Sequence, residues 1–281
     1  MRVMISIDME GVAGIATLDQ TIRGGSGYPR AMELMTAEAN AAIAGAFEGG
    51  ASEVVVDDSH GTMDNLLHTA LDPRARLIFG SPRAQCMVHG LDESFDVVLF
   101  IGYHAPAGCH GVQAHTYSGA FTEVRINGVA QSEASANALI AAAVGVPVGM
   151  LAGDDEICAI ARELFPQAVV VEVKKAEGFA AADSLHPEQA CNLIRIGASD
   201  AVRGAKKLKK PKKPGKLVIE FDFGNPFQAD FAALPPNTER VGGRTIRTTL
   251  PDASQLAQAL STTYYLASIA SAQIAQIAMR R

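Results

Sequence analysis

Short apolar runs alternate with helical patterns along most of the chain. The runs are rich in β-branched residues and end abruptly at polar residues, which is typical of strands buried in a sheet. The stretches between them carry apolar residues at helical spacing or are rich in alanine. Strands are predicted at 3–7, 53–57, 77–79, 95–101, 146–151 and 168–173. Helices are predicted at 29–46, 65–71, 132–143, 154–165 and 187–203.

This alternation predicts an α/β fold with a mostly parallel sheet flanked by helices, because parallel strands need crossover connections. One pair of strands departs from the pattern. Residues 121–126 and 129–130 flank Asn127-Gly128, which suits a type I′ turn and predicts a hairpin. The preceding stretch, 106–119, is rich in Gly, Pro and polar residues and is predicted to be an active-site loop.

A Lys/Pro-rich segment interrupts the chain after the last of these helices. Residues 206–214 read KKLKKPKKP, which is typical of a solvated linker, although the lysines could also bind phosphate or anionic lipid. Beyond it we expect a strand at 216–221, a hairpin at 240–249 and a long helix at 252–279. The predicted division is a catalytic α/β domain at 1–205, a linker at 206–215 and an α+β C-terminal subdomain at 216–281.

Composition narrows the class of protein. The apolar fraction of 48% and the charged fraction of 19% are ordinary for a soluble globular chain of 281 residues. No apolar run approaches the roughly 18 residues of a membrane helix. The net charge of −6 argues against a nucleic-acid partner. A cytoplasmic protein with reduced cysteines is expected, because there is no signal-peptide pattern and no CxxC spacing.

Residues of the kinds that bind metals follow the predicted strands. Asp8 and Glu10 lie two apart after the first strand, so their side chains point the same way on an extended segment. Two such carboxylates in an apolar setting repel each other unless a cation or proton compensates. The other candidates follow the second and third strands or open the helix after the hairpin: Asp58, His60, His104 and Glu133.

Together these residues predict a metal centre, because ligands collect at the carboxyl ends of parallel strands. Asp8, Glu10, His60, His104 and Glu133 are too many ligands for one tetrahedral zinc ion. Three carboxylates and two imidazoles suit two metals bridged by a carboxylate. Zn²⁺ is the first choice, and Mn²⁺ or Co²⁺ would accept the same mixed oxygen and nitrogen ligands.

Several motifs carry a family resemblance over nearly the whole chain. They are Ser6-x-Asp8-x-Glu10-Gly11, Asp58-Ser59-His60, Gly102-Tyr103-His104-Ala105, His115, Glu133, and the segments 32–40, 152–155 and 219–221. With these motifs the chain resembles the D-aminopeptidases of the M55 metallopeptidase family (DppA-type). The resemblance implies a zinc-dependent metallo-aminopeptidase that releases N-terminal amino acids, of the D configuration, from short peptides such as D-Ala-D-Ala.

The resemblance also implies roles for individual residues. It makes the five predicted ligands the holders of two Zn²⁺ ions, with Asp8 as the bridge, and it makes His115 a catalytic residue. It implies a homodecamer of two stacked pentamers whose active sites face an internal channel, and a peptide substrate with a free N-terminus. Asp57 departs from the family pattern, where Asn is expected. We expect this change to affect the surroundings of the ligands and leave ligation intact, although it would add negative charge near the site.

The residues leave two alternatives open. The same ligand types would serve a dinuclear hydrolase of another bond, such as a phosphoester or a cyclic amide. A non-catalytic metal-binding or oligopeptide-binding protein would keep the ligands and have no need of His115. The role of His115 is also open, because an oxyanion stabiliser, a proton shuttle and a nucleophile all suit a loop histidine.

Overall fold

The centre of the molecule is a seven-stranded sheet with strand order β3-β2-β1-β4-β7-β8-β9. β8 and β9 pair antiparallel and the other neighbours pair parallel. The computed structural model describes residues 1–279. Its strands are β1 (Arg2–Ile7), β2 (Glu53–Asp58), β3 (Arg76–Ile78), β4 (Val97–Tyr103), β5 (Phe121–Ile126), β6 (Val129–Ala130), β7 (Val148–Asp154), β8 (Val169–Gly178), β9 (Ala181–Ser184), β10 (Leu217–Phe223), β11 (Thr238–Arg240) and β12 (Thr245–Leu250).

Helices and a second sheet cover the two faces of this sheet. The helices are α1 (Leu18–Thr21), α2 (Tyr28–Glu48), α3 (Glu133–Val144), α4 (Asp155–Leu164), α5 (Pro187–Gly204), α6 (Pro226–Ala232) and α7 (Leu256–Ala278). α2 and α5 pack together on one face. Residues of α3, α7 and the second sheet pack against the other face. The predicted α/β fold with a mostly parallel sheet is confirmed.

The central strands are apolar throughout because both of their faces are buried. In β1, Val3 and Ile5 pack into the core beneath α2 and α5, whereas Met4 packs into the core on the opposite face. β4 follows the same alternation, with Leu99 on the first face and Phe100 on the second. A strand with two buried faces reads as a continuous apolar run, which is the pattern the sequence shows.

The second sheet is antiparallel and has the strand order β11-β12-β10-β5-β6. β5 precedes the Lys/Pro-rich segment and β10 follows it, and the two strands pair from Ile219 with Ile126 to Phe223 with Phe121. This sheet is therefore built from both sides of the segment. The division into domains at 1–205 and 216–281 stays a prediction. The hairpin of β5 and β6 lies in the same sheet as the C-terminal strands.

Local hydrogen bonding explains one difference from the predicted elements. A helix is expected at 65–71, but the structure has only a single 3₁₀ turn at His68–Ala70. The Asp58 carboxylate accepts hydrogen bonds from the backbone N–H groups of Asn65 at 2.6 Å and Leu66 at 2.7 Å. These contacts hold the start of the segment against the end of β2 and keep it from continuing as a helix.

The C-terminal helix α7 begins at Leu256, four residues later than its predicted start at Asp252. Its Leu260 and Ala267 are buried within the subunit, whereas Ile269 is 48% exposed and Ile277 is 56% exposed. One face of α7 thus completes the core and another carries exposed apolar side chains. Among residues 1–279, no helix combines the length and the apolar character needed to cross a membrane.

Candidate metal centre

The order of the strands brings the predicted ligands together. β1 lies between β2 and β4, so the residues that follow β1 have His60 on one side and His104 on the other. The Asp8 N–H continues the ladder by donating to the Ile101 carbonyl of β4 at 2.9 Å. Asp8 and Glu10 thereby lie at the shared carboxyl edge of three strands, which is where parallel sheets bind ligands.

Two glycines allow the turn after β1 to lie directly on the end of β4. Gly11 donates its N–H to the Gly102 carbonyl at 2.8 Å, and a Cβ at Gly11 would lie 1.9 Å from the Tyr103 carbonyl oxygen. Gly102 has φ +67°, and a Cβ there would lie 2.2 Å from the Asp8 carbonyl oxygen. No other residue fits either position without moving the backbone. This close approach fixes the turn that carries Asp8 and Glu10.

Glu133 reaches the same place from the first turn of α3. Ser132 caps the helix by accepting the Ser135 N–H at 3.0 Å. The Glu133 side chain is buried, and its Oε1 accepts the Tyr117 N–H at 2.6 Å. Tyr117 has φ +60°, a strained backbone conformation that aims this N–H at the carboxylate. The loop at 106–119 therefore fixes Glu133 in position through Tyr117. The sequence patterns predict no role for Tyr117.

Asp8 occupies the middle of the cluster and faces a histidine with each carboxylate oxygen. Its Oδ1 lies 3.3 Å from His60 Nδ1, and its Oδ2 lies 3.5 Å from His104 Nε2. Glu10 Oε2 lies 2.9 Å from the same nitrogen of His60. The Asp8 carboxylate thus stands between two groups of donors, which is the position of a bridging ligand.

Glu133 and two imidazoles form the other side of the cluster. Glu133 Oε2 lies 3.5 Å from His104 Nε2, and Glu133 Oε1 lies 3.7 Å from His115 Nε2. The His104 and His115 rings stack with centroids 4.4 Å apart. The His115 side chain is 27% exposed, against 1% for His104. His115 therefore lies at the open edge of the cluster.

Each of the three imidazoles donates one N–H to a backbone carbonyl. The pairs are His60 Nε2 with Thr21 at 2.8 Å, His104 Nδ1 with Ala105 at 2.9 Å, and His115 Nδ1 with Gln113 at 2.8 Å. A carbonyl oxygen can only accept, so it fixes which ring nitrogen carries the hydrogen. The opposite nitrogen of each ring, with its lone pair, points into the carboxylate cluster. Metal-binding histidines are oriented in this way.

The donor atoms fit a metal centre. Two donors bound to one zinc ion at about 2.1 Å in tetrahedral geometry lie roughly 3.4 Å apart, and the separations here run from 2.9 to 3.7 Å. Among the described residues, His104 Nε2 and Glu133 Oε2 are buried and have no hydrogen-bond partner. Buried polar atoms rarely lack partners, and a cation between these donors would satisfy them.

The buried charges move the pKa values of the cluster in opposite directions. Burial raises the pKa of Asp8 to about 6, and the nearby carboxylates of Glu10 and Glu133 add to this rise. Burial also acts to raise the pKa of Glu133, but His104 and His115 outweigh it and lower that pKa to about 2. Burial of His104 acts to lower its pKa, yet Glu133 outweighs this and raises it. The cluster thus attracts positive charge, supplied by protons on imidazoles or by metal ions.

Two acidic residues of β2 turn away from the cluster. Asp58, expected among the strand-end ligand types, binds the backbone of Asn65 and Leu66 instead. Asp57 is buried, and its Oδ1 lies 2.5 Å from Arg83 Nη1. Burial raises the pKa of Asp57 well above its usual range, although Arg83 opposes the rise. The expectation of added negative charge at the site is corrected, because Arg83 pairs with that charge.

Lys174, a residue of β8, fixes the turn after β1. Its side chain is fully buried, and its Nζ donates to the backbone carbonyls of Glu10, Val12 and Ile15, the last two at 2.9 and 2.5 Å. Burial lowers the pKa of Lys174 to about 8, while the charges of Asp154 and Glu38 act to raise it. The sequence gives no signal for this role, because Lys174 follows the predicted strand 168–173 and stands beside a second lysine, Lys175.

We expect Lys174→Met to weaken zinc binding by about 10-fold to 100-fold, because the turn that positions Asp8 and Glu10 loses three hydrogen bonds. Zinc titration of the folded variant measures the effect. Lys175→Met is the matched control, since the neighbouring side chain is exposed. Equal zinc affinities of the two variants would exclude this positioning role.

The cluster opens into a small inner cavity of about 100 Å³, which meets a vestibule of about 420 Å³. Glu10, His60, His115 and Tyr264 line both spaces. The inner cavity is completed by Met63, Cys86, Met87, Tyr117 and Ser261. The vestibule is lined by Leu18, Ile22, Arg23, Tyr28, Gln113 and Phe179. A larger groove of about 640 Å³ lies beside the Lys/Pro-rich segment and contains none of the cluster residues.

Comparison with known proteins agrees with this geometry. The family model of the M55 peptidases, described as D-aminopeptidase, matches residues 1–262. The chain belongs to the M55 peptidase family. A D-aminopeptidase of Bacillus subtilis (strain 168) is 36% identical over 261 residues, which cover 92% of this chain and 95% of the relative. This M55 chain is an enzyme, a peptide hydrolase.

A solved structure has the same fold. It is that of the Zn-dependent D-aminopeptidase DppA from Bacillus subtilis, a self-compartmentalizing protease. The TM-score is 0.92 at 36% identity, and the match covers 95% of this chain and 98% of that one. In this M55 chain, the structure brings together all six predicted site residues: Asp8, Glu10, His60, His104, His115 and Glu133.

Proposed function

We propose that this protein is a zinc-dependent aminopeptidase that releases the N-terminal residue, of the D configuration, from short peptides with a free amino group. The observation that carries the proposal is the cluster in which three fixed imidazoles point their lone pairs at three buried carboxylates. The cluster opens through the inner cavity to the vestibule, so a small substrate can reach it.

In this proposal, Asp8, Glu10, His60, His104 and Glu133 hold two Zn²⁺ ions. The two oxygens of Asp8 face different histidines, which supports its assignment as the bridge. His60 and Glu10, which lie 2.9 Å apart, would hold one ion, and His104 and Glu133 would hold the other. When bound, such a metal pair supplies an activated water and polarises the substrate carbonyl.

The side chains around the cluster bind and orient the peptide. The amino end of the peptide is placed at the cluster, where Glu10 borders both the inner cavity and the vestibule. His115 holds its hydrogen on Nδ1 through Gln113, so its Nε2 is the atom that can take up a proton and pass it to the leaving amine. With a proton on Nε2, the same group can donate a hydrogen bond to the developing oxyanion.

We further propose that the protein assembles as a homodecamer and acts on short peptides inside the assembly. The relative of known structure is a self-compartmentalizing protease, and α7 offers exposed apolar side chains for subunit contacts. A narrow chamber would admit di- and tripeptides and exclude folded chains. A cytoplasmic location remains a prediction from the sequence.

The test compares D-Ala-D-Ala, L-Ala-L-Ala and N-acetyl-D-Ala-D-Ala as substrates of the zinc-loaded protein. We expect the first to be cleaved with the highest kcat/KM and the N-acetylated peptide to be cleaved at least about 100-fold more slowly, since it lacks the ammonium. A phenyl phosphate ester is the control for the alternative dinuclear hydrolase. Equal rates on acetylated and free peptides would contradict the aminopeptidase proposal. Peptide binding without turnover would favour a non-catalytic binding protein.

A further inference from the structure

Arg23 is the basic residue with a fixed charge in the cavity system of the metal centre. Two histidines, His60 and His115, line the inner cavity and the vestibule. Arg23 is the one lysine or arginine among the residues that line these two spaces. The proposed function places the amino end of the peptide at the cluster. A short peptide also carries a carboxylate at its other end, and the proposed function gives that group no partner.

The guanidinium of Arg23 is held in place on one side. Its Nη2 donates to Thr62 Oγ1 at 3.1 Å and to Asp64 Oδ1 at 2.5 Å. The guanidinium carbon Cζ lies 5.6 Å from the centre of the Tyr28 ring, and this contact limits the orientation of the guanidinium plane. Within residues 1–279, Nη1 and Nε have no hydrogen-bond partner, and the Arg23 side chain is 52% exposed. One edge of the guanidinium is thus anchored, and the other can pair with a carboxylate.

Two short chain segments connect the surroundings of this guanidinium to the cluster. Arg23 follows Thr21 by two residues, and the Thr21 carbonyl accepts the His60 Nε2–H. Thr62, which contacts Arg23, follows His60 by two residues. Arg23 therefore lines the same vestibule as Glu10, His60 and His115. A short peptide whose amino end lies at the cluster can extend through this vestibule toward Arg23.

We propose that Arg23 forms the subsite for the terminal carboxylate of a dipeptide substrate. This inference rests on the proposed aminopeptidase function and specifies its substrate class. The amino end of the dipeptide lies at the cluster, and Arg23 binds the carboxylate at the other end. Longer peptides carry their carboxylate past Arg23 and lose this contact. Asp64 holds the guanidinium in place and also weakens the attraction for a second carboxylate, so the subsite favours dipeptides by a modest factor.

The experiment measures kcat and KM for D-Ala-D-Ala and for its C-terminal amide, D-Ala-D-Ala-NH₂. For the unaltered protein we expect KM to be about tenfold lower for the acid than for the amide, with similar kcat, because the acid alone makes the charge-assisted contact. For Arg23→Gln we expect the two KM values to become equal while metal content is unchanged. Arg23→Lys keeps the charge without the anchored fork, and we expect it to retain part of the preference.

The matched control is Arg30→Gln, which makes the same change of charge at an exposed residue paired with Glu33 and outside both cavities. It should retain the full preference for the acid. Equal KM values for acid and amide in the unaltered protein, or a preference that survives in Arg23→Gln, would overturn the subsite. If Arg23→Gln does not fold, a reduced preference for the acid in Arg23→Lys supports the subsite, and full retention of the preference refutes the anchored guanidinium as its basis. Failure to cleave either peptide would instead refute the proposed function.

Discussion

Replacement of Glu133 by alanine should leave the purified protein with reduced metal content and lower kcat/KM by more than about 100-fold. Glu133 faces both His104 and His115, and its Oε2 is buried without a hydrogen-bond partner among the described residues. Loss of a residue that only hydrogen-bonds to a metal ligand already costs about 10-fold to 100-fold in metal affinity or activity, and loss of a direct ligand should cost more. Elemental analysis after dialysis, together with peptide hydrolysis, measures both effects.

Glu133→Gln separates charge from packing, because it keeps the shape of the side chain and an acceptor for the Tyr117 N–H. We expect it to bind less zinc than the unaltered protein and more than Glu133→Ala. Glu163→Ala, at an exposed position of α4, is the control for handling losses. Full zinc content in Glu133→Ala would show that Glu133 is not a zinc ligand. An unaltered protein that carries no metal and gains no activity with Zn²⁺, Mn²⁺ or Co²⁺ would refute the metallohydrolase assignment.

The sequence predicts the main sheet well because its central strands are buried on both faces. Each such strand is a continuous apolar run and is visible without its neighbours. β9 was missed because it is an edge strand, Ala181–Ser184, with exposed and half-buried residues and no apolar pattern. The pairing of β5 with β10 was missed for another reason. Each strand is recognisable locally, but its partner lies roughly 90 residues away. The alternation of apolar and polar residues along one strand does not predict which strand it pairs with.

The candidate ligands could be predicted because they follow strands that end at a common edge. Their supporting contacts could not, because those contacts join distant segments. Lys174 reaches the turn after β1 from β8, more than 150 residues away. Asp57 pairs with Arg83, which lies outside any regular element, so the charge of Asp57 seemed uncompensated in the sequence. Three-dimensional proximity decides both cases, and neither leaves a local periodic signal.

His115→Ala should lower kcat by about 10²-fold to 10⁴-fold, which is the range for removal of a positioned acid or base. The protein should keep its zinc. The physical reason is the position of the ring. His115 is the most exposed of the three imidazoles in the cluster, and it borders both the inner cavity and the vestibule, where the scissile bond must lie. A group that acts in the transition state affects kcat more than substrate binding.

Zinc content decides between this role and direct ligation, because His104, His115 and Glu133 lie close enough together to hold one ion. If His115 is a ligand, His115→Ala should lose zinc along with activity. If His115 is catalytic, zinc content should match that of the unaltered protein and of His110→Ala, a control at an exposed histidine of the same loop. An unchanged kcat would exclude both roles. Because the His115 ring stacks on His104, retained zinc would also show that His104 keeps its orientation without this stacking contact.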